Sequence, residues 1–129
     1  MPIEPLPTPS APPVAGPYSP AVRAGDWIVM AGQIGLDGNG VIAEGVEAQT
    51  RQILANIEGV LGDCGASWAD VAKTTIFLTD LGNFPAVNAL YQDAIGSHRP
   101  ARSTVGVAAL PAGAVVEIEC WAYQGDVIT

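Results

Sequence analysis

Val46–Cys64 reads VEAQTRQILANIEGVLGDC, and a little further on Asp70–Asp80 reads DVAKTTIFLTD. In the first stretch Val46, Ile53, Ile57, Val60, Leu61 and Cys64 recur at helical spacing, so one face is apolar. Glu44, Glu47, Arg51 and Glu58 fall on the other faces, and Gly65 supplies a stop. The second stretch is rich in β-branched residues and reads as a strand. A helix followed at once by a strand puts the chain among folds that pack helices on a sheet.

Working outward, Asn83–Gly96 repeats the helical pattern. Phe84, Val87, Leu90, Tyr91, Ala94 and Ile95 form its apolar stripe. Asn83 is expected to cap it, and Pro85 falls in the first turn, where proline is tolerated. Arg99-Pro100 breaks the chain. Arg102–Ala109 then reads as a strand, Leu110–Ala114 as a loop and Val115–Tyr123 as the last strand. On the N-terminal side, Tyr18–Arg23 is extended, Ala24-Gly25-Asp26 is a turn, and Trp27–Gln33 is a strand, together an antiparallel hairpin. Leu36–Gly40 (LDGNG) is a glycine-rich turn without the spacing of a dinucleotide fingerprint. The predicted order is β-β-α-β-α-β-β: an α/β two-layer sandwich, with two helices on one face of a mixed sheet.

The 129 residues suit a single domain. Eight of the eleven prolines lie in the first twenty residues. Residues 1–14 are therefore expected to be an extended, flexible arm, and residues 15–129 the domain. Charged residues make up only 14% of the chain, which suggests that another subunit covers part of the surface. A net charge of −8 with five basic residues is ill suited to nucleic acid or to anionic membranes. No leader-like or membrane-spanning stretch is legible, so a cytoplasmic location is expected. Cys64 and Cys120 are read as isolated thiols, and a single histidine without Cys-x-x-Cys offers no zinc site.

Few residues could carry chemistry. Arg102 opens an otherwise apolar run, and a guanidinium there needs an anionic partner. That partner is either a carboxylate of the same chain or a ligand carboxylate gripped by two parallel hydrogen bonds. Glu117 and Glu119 share one face of the last strand, opposite Val116, Ile118 and Cys120. They could hold a water or act as a base, or simply be the solvated face of an edge strand. Trp121 and Tyr123 share that face and point to a covered surface. Tyr18 and Asn88 read as packing and helix-surface residues, and His98 as a loop histidine. Serine-hydrolase and nucleotide-binding motifs are missing.

The run from Pro100 to Val107 (PARSTVGV), with Leu110-Pro111 and Val116–Glu119 (VEIE), closely resembles the signature of the Rid, or YjgF, family of reactive intermediate deaminases. Gly16–Ser19 (GPYS), Ala31–Ile34 (AGQI), Gln49–Gln52 with Asn56, Lys73–Thr75 with Asp80-Leu81, and Phe84–Tyr91 (FPAVNALY) agree in order and spacing. The resemblance implies a chorismate-mutase-like fold and a homotrimer with pockets between subunits. It implies cofactor-independent hydrolysis of 2-iminoacids and enamines, released by pyridoxal-phosphate enzymes, to 2-ketoacids and ammonia.

Residue by residue, the resemblance makes Arg102 the carboxylate-binding group and Glu117 the group that positions water. Tyr18, Gly32 and Asn88 become pocket residues, with Thr104 among the substrate contacts. Glu119 stays structural. Thr104 stands where many deaminase members carry cysteine, and Ala31 where serine is common. The mechanism expects Arg102 and Glu117 on adjacent strand positions. A non-catalytic protein that binds or senses a small carboxylate such as a 2-ketoacid is the alternative on the same fold.

Overall fold

The computed structural model describes residues 2–125. The strands are β1 (Glu4–Pro5), β2 (Ala21–Ala24), β3 (Trp27–Met30), β4 (Val71–Leu78), β5 (Ala101–Gly106) and β6 (Val116–Tyr123). The helices are α1 (Val46–Asp63), between β3 and β4, and α2 (Phe84–Ile95), between β4 and β5. They form one sheet in the order β1-β2-β3-β6-β4-β5. Only β4 and β5 run parallel, and α2 supplies the crossover that parallel strands require. The last strand is the centre of the sheet, antiparallel to both β3 and β4.

The core lies between the sheet and the two helices. Ile53, Ile57, Val60 and Leu61 of α1 meet Ile28, Met30, Ile76, Leu78, Val116, Ile118 and Cys120 of the sheet, and Val87, Tyr91 and Ile95 of α2 join them. Each large aliphatic side chain so buried contributes about 1.5–3 kcal/mol. The opposite face of the sheet carries no helix. There β6 presents Glu117, Glu119, Trp121 and Tyr123, while alternate residues Val116, Ile118, Cys120 and Ala122 are buried. Trp27 stacks edge-to-face on Trp121 and Tyr123, at centroid distances of 6.1 and 5.0 Å.

Several boundaries differ from the pattern reading. The proline-rich arm contributes an additional strand: Glu4 and Pro5 pair with Arg23 and Val22 at the sheet edge, where proline is tolerated. β3 stops at Met30, and the strand expected as far as Gln33 is interrupted at Ala31-Gly32. Pairing resumes at Gln33, whose N–H and C=O both bond Ile118. Between Val29↔Trp121 and Gln33↔Ile118 the register shifts by one residue, a bulge-like break. β5 ends at Gly106 rather than Ala109. Asn83 takes the N-cap position of α2, but its side chain makes no capping hydrogen bond. It belongs to a single 3-10 turn, Leu81–Asn83, and the capping side chain is Asp80, which accepts from the Gly82 N–H at 2.8 Å.

Candidate active site

The six singled-out residues fall into two groups on opposite faces of the sheet. Arg102 and Thr104 lie on β5, in register with Thr74 and Ile76, and so face the helices. The guanidinium of Arg102 lies over the rings of Phe84 and Tyr91 on α2, 5.3 and 5.2 Å from their centroids. Its Nη1 donates to Asn88 Oδ1 at 2.7 Å. The internal salt bridge weighed for Arg102 does not form. The ion pair found among the described residues is Arg51–Glu47, elsewhere on the surface. Arg102 therefore stands exposed with most of its donors free, at the mouth of a cleft lined also by Tyr91, Gln92 and Arg99. Beneath it the Tyr91 hydroxyl bonds Thr74 Oγ1 at 2.7 Å, and burial pushes the phenol pKa up. Thr104 Oγ1 is buried without a hydrogen-bond partner. Such a group normally carries a cost of about 1–3 kcal/mol.

Glu117, Gly32 and Tyr18 form the second group, on the helix-free side. They line a cleft of about 480 Å³ together with Ala31, Gln33, Ile34, Leu36, Pro111 and the Pro12–Ala15 run. Glu117 is half-buried, and among the described residues no group hydrogen-bonds its carboxylate. Burial is the main cause of its raised pKa, and the neighbouring charge of Glu119 adds to it. Gly32 is packed against this carboxylate. A Cβ at position 32 would come within 2.6 Å of Oε2 and 2.9 Å of Cδ, so a side chain there would push the carboxylate aside. Tyr18 is exposed at the rim.

The expectation that Arg102 and Glu117 occupy adjacent strand positions is not met. β4 lies between β5 and β6, and the two side chains leave opposite faces of the sheet. The reason is topological: β6 inserts into the middle of the sheet, whereas β5 closes its outer edge. Glu117 is accordingly on an interior strand, not on a solvated edge.

Some contributors were not singled out in the sequence. Gln49 Oε1 accepts from the Val115 N–H at 2.9 Å and ties α1 to the start of β6, while Gly35 rests against the Gln49 backbone. Asn56 Nδ2 donates to Leu36 C=O at 2.8 Å and fixes the cleft's far wall. The Gln49–Gln52 and Asn56 part of the signature thus has a structural use. Ala112 adopts a left-handed conformation (φ 57°) on the cleft margin, an uncommon state outside glycine. His98 is structural, its ring bonding Val71 C=O at 2.7 Å. Cys64 and Cys120 are unbridged, with burial pushing the Cys120 thiol up to about 12. Among the described residues no cluster of His, Cys, Asp or Glu is placed to hold a metal, and no helix is long and apolar enough to cross a membrane.

Fold and site together define a small mixed α/β domain that carries an arginine cleft on one side of its sheet and a carboxylate cleft on the other. The chain belongs to the Rid/YjgF family. The family pattern described as Endoribonuclease L-PSP matches residues 8–124. A RutC family protein of Pyrococcus horikoshii is 42% identical over 119 residues, covering 91% of this chain and 94% of its own. The human 2-iminobutanoate/2-iminopropanoate deaminase is 40% identical over 124 residues, covering 95% and 90%. RidA from an Antarctic Psychrobacter superposes with a TM-score of 0.88 at 39% identity, covering 92% of this chain and 97% of that one. E. coli TdcF with bound serine superposes equally well, at 0.88 and 34% identity, covering 95% and 99%.

Proposed function

We propose that this protein is a cofactor-independent deaminase that hydrolyses 2-iminoacids and their enamine tautomers to 2-ketoacids and ammonia. We propose further that it works as a homotrimer with its sites between subunits. One observation carries the reading. Among the described residues Arg102 and Glu117 are each free of a charged partner, yet they sit on opposite faces of one sheet. They can act on one small molecule only when the β5 edge of one copy meets the helix-free face of another. That face offers Trp27, Trp121 and Tyr123, and β5 is an unpaired edge with Val105 exposed, both suited to burial against a second copy. Relatives about 40% identical that are named imine deaminases support the chemistry, and the serine bound by TdcF supports a small amino-acid-like ligand.

In this reading Arg102 grips the substrate carboxylate through its fork, with Asn88 holding one arm of the guanidinium in place. Glu117 accepts a proton from a water as its oxygen bonds to C2, while the C=N electron pair moves to nitrogen. The proton passes to that nitrogen. The carbinolamine then gives its hydroxyl proton to the regenerated Glu117 carboxylate as the C–N bond breaks, and ammonia and the 2-ketoacid leave. The raised pKa of Glu117 makes it a stronger base than an ordinary carboxylate. Tyr18 closes the rim, and the Thr104 hydroxyl and the backbone at Gly32 complete the substrate contacts. A protonated imine conjugated to a carboxylate is electrophilic enough to need no metal or organic cofactor. Cleavage of RNA, which the family description names, is disfavoured by the −8 charge and five basic residues. The unbridged cysteines suit the cytoplasm as the place of action.

The test is a coupled assay. A threonine or serine dehydratase generates the imine, and 2-ketoacid formation is followed with wild type, Arg102→Ala and Glu117→Gln. Each variant alone should lose the acceleration. Mixed after dissociation and reassembly, the two should recover part of it, because some clefts then pair an intact Arg102 with an intact Glu117. Inactive variants that stay inactive when mixed would break the shared site. Wild type that binds 2-ketoacid without accelerating imine decay would favour the carboxylate-binding alternative.

A further inference from the structure

The proline-rich stretch does not hang free of the domain. Glu4 and Pro5 pair with β2, and the Leu6 N–H donates to Ala21 C=O at 3.0 Å. Ser10 is clamped to the end of α1. Its backbone N–H and its hydroxyl both donate to the Asp63 carboxylate, each at 2.8 Å. The Ser10 Cβ lies over Gly59, where an added Cβ would meet it at 2.9 Å. Directly after this clamp, Pro12–Ala15 runs along the cleft that holds Glu117, Gly32 and Tyr18.

Two adjacent prolines make this wall stiff, with fixed φ and no N–H to offer a ligand. Ala31, Ile34 and Leu36 line the same space. Among the described residues the one charged side chain on the cleft is Glu117, which repels a second carboxylate. We propose that Pro12–Ala15 is a specificity wall of this cleft, held in place by the Ser10–Asp63 clamp, and that it selects imino acids by the size of an uncharged aliphatic side chain. The inference rests on the deaminase reading of the same cleft. A stiff wall with apolar side chains discriminates by volume, and discrimination of that kind depends on where the wall is held.

Two substitutions move the wall without touching the cleft. Gly59→Ala forces Ser10 off α1, and alanine favours the helix, so folding is not the obstacle. Asp63→Ala removes the acceptor of both clamp bonds. For each variant and wild type, kcat/KM is measured on the imines of a short and a branched-chain amino acid. Affinity for the two corresponding 2-ketoacids is measured in parallel. The expected result is a shift of about fivefold in the ratio, toward the branched compound, in both turnover and binding. An unchanged ratio in both variants overturns the wall. Wild type that binds the ketoacids without turnover overturns the deaminase reading, while the binding ratio still decides on the wall. Wild type that neither binds nor turns over either compound overturns both.

Discussion

The two clefts of this domain are built on opposite principles. Around Arg102 the cation is exposed, stabilised by two aromatic faces and one amide oxygen, and it keeps donors to spare. Around Glu117 the anion is half-buried among apolar and proline residues, and burial, with the Glu119 charge beside it, pushes its pKa up. A guanidinium tolerates this half-solvated setting because it is weakly hydrated and stacks well. A carboxylate pressed into an apolar cleft holds its proton more tightly than one in water. What the difference teaches is how strand placement sets character: the edge strand leaves a cation open to solvent, and the central strand presses an anion into an apolar cleft.

The comparison breaks most visibly at Glu117. Glu117→Gln should lower kcat by about a hundredfold to ten-thousandfold in the coupled assay. It should not cost stability. Because burial raises the carboxyl pKa, the folded state holds the proton more tightly than the unfolded one. Ionised Glu117 therefore destabilises the fold, increasingly as pH rises through the ordinary carboxylate value and up to the raised one. The variant's Tm should equal or exceed that of wild type at neutral pH, and the gap should close in acid. A Tm clearly below wild type at neutral pH would assign Glu117 a structural role instead.

Arg102→Ala should cost on the order of a hundredfold in kcat/KM, carried by KM, since two charge-assisted bonds to the substrate are lost. Loss confined to kcat would contradict a carboxylate grip. Gly32→Ala comes next. The added methyl displaces the Glu117 carboxylate, and a shift of that size should lower kcat by roughly tenfold to a hundredfold while KM holds. The smallest effect is expected at Thr104. Thr104→Val removes a buried, unpartnered hydroxyl, so stability should stay level or rise by about 1 kcal/mol, read from chemical unfolding. A drop in affinity for the 2-ketoacid in that variant would show that the hydroxyl reaches the ligand, and unchanged affinity would leave it outside the site.

Much of this was legible before any coordinates. The helix of Val46–Asp63, the strands at Val71 and Val116, and the alternation of Glu117 and Glu119 with Ile118 and Cys120 follow from local periodicity. Asn83 takes the expected N-cap position, but Asp80 begins a turn three residues earlier and supplies the side-chain bond, a choice set by backbone geometry that the residue type does not reveal. The break at Ala31-Gly32 escaped the pattern for a related reason. Its apolar residues continue those of β3, and only pairing with Ile118 shows the shift in register.

The proline arm marks the limit most clearly. Its composition dictates an extended chain, because proline fixes φ and withholds a donor. Nothing in its own residues says that Ser10 meets Asp63, fifty-three positions away, or that Pro12–Ala15 walls a cleft. The sequence by itself determined most of the elements and the sandwich of helices on a mixed sheet, and it narrowed the candidates for chemistry to a few residues, because side-chain period and charge are local properties. Only the tertiary structure decided that β6 lies at the centre and β5 at the edge. That placement puts Arg102 and Glu117 on opposite faces, since strand order is set by which apolar surfaces bury one another across the whole chain.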